Sequence, residues 1–128
     1  MFAGKLTMSE IETLVSEIEG GSQRSETLER KIAQLAGLFA PKERRFLSDL
    51  DEAVELPSRR GWNFALSSTA HSGQRCFGAW IFKPNTEDEV LAHAQAWHPA
   101  EAVVLAFLKG MHEVRRLESY PALHAASV

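Results

Sequence analysis

The sequence predicts an α+β fold: an N-terminal helical hairpin, a short helix, and a three-stranded antiparallel meander covered by a C-terminal amphipathic helix. Three observations carry this. Ala100, Val103, Val104, Phe107, Leu108, Met111 and Val114 recur at helical spacing after Pro99, giving one apolar face about four turns long. Trp62, Phe64 and Leu66 alternate with smaller or polar residues, as a strand requires. Two further helical stripes occupy the first third of the chain. At 128 residues and 45% hydrophobic content, this is a single domain, residues 1–128, with enough apolar side chain to build one core.

In chain order, residues 1–7 are unpatterned and read as an upstream extension before Met8. The hairpin is expected over residues 9–39. Ser9 and Glu12 have capping-box spacing, Ile11, Leu14, Val15 and Ile18 form the first stripe, and Gly20 and Gly21 stop it with a left-handed cap. Ser25 opens the second helix. Leu28, Ile32, Leu35, Ala36 and Phe39 face inward, Glu26, Glu29, Arg30 and Lys31 face solvent, and Gly37 and Pro41 end it near Leu38. A hairpin cannot bury both stripes alone, so a homo-oligomer paired through it is expected.

After the basic connector of residues 41–46, a core of α-β-β-β-α order is expected over residues 47–117. Ser48 caps a short helix from Asp49 to Glu55, which Pro57 stops. A glycine-containing loop at residues 70–74 joins the first strand to a second, Arg75 to Lys83. Val90 to Trp97 suits either a helix or a strand. It is assigned as the third strand, because a meander gives the last helix a surface to cover. Pro99 takes the first helical position, with Glu101 in the first turn and Arg115 and Arg116 in the last, all agreeing with the helix dipole. Residues 118–128 read as a loose tail.

The formal charge of −3 argues against a dedicated nucleic-acid binder. Cys76, the single cysteine, excludes an internal disulfide framework and is expected to be a buried, inert thiol. No apolar run reaches membrane-spanning length and no signal-peptide core is visible, so no membrane partner is expected and the location defaults to cytoplasmic. The five histidines lack metal-ligand spacing, and neither a nucleophile elbow nor a phosphate loop is present. No cofactor, no metal and no catalytic residue are expected. The group with the most chemistry is Arg59, Arg60, Trp62, Trp80 and Trp97. Guanidinium groups hold phosphate bidentately and an indole face stacks on a base, so Arg59 or Arg60 with one of the tryptophans could bind a nucleotide. The alternative is that the tryptophans are core and the arginines solubilising surface.

Ser48 to Pro57, then Gly61-Trp62, an aromatic hairpin, and His98-Pro99-Ala100 opening an alanine- and leucine-rich helix resemble small phage and prophage proteins of the ABA-sandwich type. The spacing from Pro57 to Trp62 is longer here, and His98 replaces the usual cap. The resemblance implies a non-enzymatic accessory or counter-defence role in the cytoplasm of an infected or lysogenic bacterial host. Two partners follow as expectations. One is a small nucleotide immune signal, sequestered without cleavage. The other is a host protein inhibited by direct contact, with a virion-associated structural role as a variant of that reading.

Overall fold

The structure, a computed structural model, describes residues 8–20, 26–36, 45–83 and 88–118. The expectations for residues 1–7, the Gly21–Ser25 link, the end of the second helix near Leu38, most of the basic connector, the turn after Lys83 and the tail from residue 119 lie outside these. The elements follow in the order α1 (Met8–Glu19), α2 (Glu26–Ala36), α3 (Leu50–Arg59), β1 (Phe64–His71), β2 (Gln74–Phe82), β3 (Val90–Ala96) and α4 (Pro99–Glu118). The sheet is antiparallel in the order β1-β2-β3. The α+β expectation holds, and the ambiguous segment from Val90 is a strand.

The layering departs from the expected single apolar face. From Ala100 through Leu108 every side chain but Glu101 is buried, as are Gly110 and Met111. A helix apolar all round is one enclosed on all sides. Gly110 and Phe107 mark the side of α4 toward the sheet and Trp62. A Cβ on Gly110 would stand 3.3 Å from Trp62 Cζ3, 3.5 Å from Leu91 Cδ2 and 3.7 Å from Ile81 Cγ2, and the Phe107 and Trp62 rings lie 5.8 Å apart. Lys109 and His112 mark the opposite side, where Lys109 Nζ meets Glu19 at 2.9 Å and His112 Nε2 meets Glu12 at 2.8 Å on α1. By helical repeat, Val103 and Ala106 share the first side and Leu105 and Leu108 the second. α4 is therefore the middle layer, with the sheet on one side and α1 on the other, and α3 also packs against it.

The hairpin stripes are absorbed by this arrangement. Ile11, Leu14, Ile18, Leu28 and Ile32 are buried in the same core as α4. The described members of the two stripes are thus covered within one chain, while Leu35, Ala36 and Phe39 of the expected second stripe lie outside the residues whose burial is described. Glu12 pairs with His112 rather than closing a capping box, because Ser9 already lies inside α1. Gly20 follows α1 without a positive φ. Glu29, expected on a solvated face, turns inward: its carboxylate accepts the N–H of Phe46 at 2.7 Å and of Leu47 at 3.3 Å. Those two residues are buried, and the charge fixes the bend that leads into α3.

At the far end of α4, Arg116 hydrogen-bonds Glu113 and holds its carboxyl below the ordinary value. A depressed carboxyl supports the fold above its unfolded pKa and loses that support as pH falls through the folded value.

Two consequences are testable by thermal unfolding. Leu105→Asp should abolish cooperative melting as fully as Phe107→Asp, since both sides of α4 are core; a folded Leu105→Asp protein would refute the middle-layer placement. Glu29→Ala leaves two amides without their acceptor and should cost about 1–3 kcal/mol; no loss would show that the bend holds itself.

Candidate functional site

Arg59, Arg60 and Trp62 belong to one local structure, the end of α3. Asp49, not Ser48, is its N-cap, accepting the Asp51 N–H at 3.0 Å. The helix runs through Pro57 instead of stopping before it. Proline is tolerated there because the chain is leaving the helix anyway. The Trp62 N–H donates to the Pro57 carbonyl at 3.0 Å and the Gly61 N–H to the Ser58 carbonyl at 3.0 Å, while Gly61 takes φ 72°. This is a Schellman cap, and Gly61 holds the left-handed position that a Cβ would strain. Arg59 sits in the last turn, where a cation suits the helix dipole.

Trp62, next in sequence, is carried inward. It is 8% exposed and packs on Phe107 of α4. The Arg60 guanidinium lies 5.6 Å from the centre of its ring, within cation–π reach. The Arg-Arg-Gly-Trp run thus forms a helix stop with a core anchor, and both arginines stay exposed.

Trp80 lies elsewhere. In β2 the register places Phe77, Ala79 and Ile81 on the α4 face with Ala92, Ala94 and Ala96 of β3. Trp80 has the other parity, so the sheet stands between it and Trp62. Its ring folds back over Gly78: a Cβ there would meet Trp80 Cη2 at 3.0 Å and Cζ3 at 3.3 Å. On its other flank it stacks on the cross-strand neighbour His93, with ring centres 4.7 Å apart and planes tilted by 30°. Trp97 follows β3 in the turn before α4 and is 54% exposed. The structure therefore brings Arg60 and Trp62 together, with Arg59 beside them. It sets Trp80 on the other side of the sheet and Trp97 in that turn.

A different surface emerges. The side of the sheet away from α4 presents Ala65, Ser67 and Thr69 from β1, Cys76, Gly78, Trp80 and Phe82 from β2, and His93 and Gln95 from β3. The β1 and β3 members are exposed and Cys76, Trp80 and Phe82 half-buried. Cys76 is thus less enclosed than expected, since its parity turns it away from α4. Among the described residues, no Asp, Glu, Lys or Arg of the three strands stands on this face, so it is aromatic at its centre, polar at its rim and without formal charge. Sequence reasoning missed it because both parities of β2 are apolar. The one available signal was Gly78, two residues before Trp80 and on its face.

The described surface also has shallow hollows along α1, one lined by Ser9, Glu12, Thr13, Ser16 and Glu17, another by Ser9, Glu10, Thr13, Leu14, Lys31 and Gln34. Neither includes any of the five expected residues, and their carboxylates do not suit phosphate. Among the described residues there is no cluster of three or more groups able to hold a metal, and no helix long and apolar enough to cross a membrane. No protein family, characterised protein or solved structure matches the chain.

The Gly78 geometry makes a prediction. Gly78→Val should lift the indole off the strand and disturb its stack with His93, shifting tryptophan emission while leaving the melting transition cooperative. Unchanged emission would show that the ring does not rest there.

Proposed function

We propose that this chain is a non-enzymatic binding protein, of the phage accessory kind its sequence resembles, which inhibits a host protein by direct contact through the open face of its sheet. One observation carries the reading: a sheet face that is bare and uncharged among the described residues, with the Trp80 ring packed on Gly78 and His93 at its centre. An aromatic ring held by Gly78 and His93 has little freedom left to lose on binding. Tryptophan anchors surrounded by neutral polar groups are the usual energetic centre of a protein interface. A face without Lys or Arg among the described residues favours a protein over a polyphosphate chain.

The nucleotide-sequestering reading is the second, supported by the same stack. Trp80 and His93 would offer a π surface to a base, while phosphate would have to find cations away from Arg59 and Arg60.

Photo-crosslinking groups placed at Thr69 and Gln95, with Glu17 on α1 as control, test the surface in infected cells. Crosslinks to one host protein from the sheet positions alone are expected. Trp80→Ala should weaken that complex by about 2 kcal/mol or more, near thirtyfold. Equal crosslinking from Glu17, or a complex indifferent to Trp80→Ala, would overturn the proposal. Calorimetry against cyclic di- and trinucleotides and cyclic ADP-ribose isomers separates the second reading: a ligand bound and recovered unmodified would replace the protein target.

A further inference from the structure

The sheet has two edges, β1 and β3. An edge strand leaves a row of N–H and C=O groups without strand partners, and proteins usually guard it with charge, proline or a bulge. β3 has such guards. Its pairing shifts register between Ile81 and Phe82 of β2, and the exposed acids Asp88 and Glu89 lead into it. β1 has none. Its register runs unbroken from Phe64↔Ile81 to His71↔Gln74, closed by a tight turn in which Ser72 and Gly73 take φ 52° and 81°. From Phe64 to Ala70 it contains no charge, no proline and no bulge.

The direction of its outer groups follows from one bond. The Phe82 N–H donates to the Asn63 carbonyl at 3.0 Å, directly across the register. Hydrogen-bonded pairs alternate, so Ala65, Ser67 and Thr69 also point their backbone groups at β2. Phe64, Leu66, Ser68 and Ala70 then point theirs away from the sheet. Phe64 and Leu66 are also only partly buried against the α4 core, and a further strand would complete their cover.

We infer that β1 pairs antiparallel with β1 of a second copy, about a twofold axis through Ser67, joining two sheets into one. In that register Phe64 faces Ala70 of the copy and Leu66 faces Ser68, each exchanging a pair of backbone hydrogen bonds. Ser67 meets Ser67 and Ala65 meets Thr69 on the open face. No charged residue of β1 itself opposes another, which favours a strand pairing with itself, and the Arg75 groups held at Ser68 are the only like charges brought near the axis from the described β1–β2 hairpin. The axis stands normal to the sheet, so both Trp80–His93 stacks lie on the same side of the dimer. The inference concerns the edge and does not rest on what the open face binds.

Sedimentation and light scattering of the full chain across the micromolar range should give the mass of a dimer. Ser68→Pro removes an outward donor that β2 does not use, and Ser67→Lys sets two ammonium groups against each other at the axis. Each should weaken dimerisation by roughly tenfold or more, with cooperative melting retained. In a Cys76→Ala background, Ser67→Cys should oxidise to a linked dimer and Ser68→Cys should not, because the pair at the axis has the closer approach. A single-chain mass throughout the range, or a dimer that survives both Ser67→Lys and Ser68→Pro, would overturn the inference.

Discussion

Every layer of this protein depends on the enclosure of α4. Its residues from Ala102 to Leu108 are all buried, and no other element touches the sheet, α1 and α3 so extensively. Small side chains make this feasible. Ala102, Ala106 and Gly110 let neighbours approach the helix closely, and Gly110 in particular admits the edge of Trp62. The larger residues, Leu105, Phe107, Leu108 and Met111, fill the remaining space on both flanks. Interiors pack at crystal-like density, so such a helix has little room for substitutions that change its shape. The Lys109–Glu19 ion pair and the His112–Glu12 hydrogen bond to α1 lie at the margin of this contact. They set its orientation more than its strength, since partly exposed pairs contribute little.

The same enclosure decides what is left for function. With α4 on one side of the sheet, the other side is bare among the described residues. Residues that look alike in sequence are thereby separated into different roles. Trp62 belongs to the core and Trp80 to the surface, although both are tryptophans in aromatic surroundings. The two arginines before Trp62 serve a helix terminus: one favours the dipole and the other lies over the indole. Charge on this molecule is concentrated on its helices, whereas its open β surface is neutral. A partner that docks there meets shape and aromatic area before it meets charge.

Much of the fold was legible in the residues. The stripe Ile11, Leu14 and Ile18, the Pro99 start of α4 and the glycine at the β1–β2 turn each reflect a local rule, and each appears where that rule puts it. The third strand was legible by an architectural argument, since its alanines alone did not decide it. The parts that were not legible depend on tertiary contact. Periodicity recognised the face of α4 with Val104 and Phe107 but gave no reason to bury Leu105 and Ala106, because a second covering layer lies far away in sequence. Glu29 looked solvated until the bend at Phe46 and Leu47 claimed its carboxylate. The candidate site was less legible still. Arg-Arg-Gly-Trp has the composition of a binding motif, and only the Gly61 backbone and the Pro57 carbonyl show it to be a cap.

The order of elements along the chain has a consequence for biosynthesis. α4 is the last of the described elements to leave the ribosome, yet it supplies the shared wall of both half-cores. Until it emerges, the apolar stripes of α1 and α3 lack the wall they pack against, and the face of the sheet that α4 covers is bare. The contacts that α4 makes with α1 and with the sheet form late, and those with α1 close a long loop at an entropic cost. A chain cut before Pro99 would lack this shared wall, leaving an aggregation-prone fragment rather than a smaller domain.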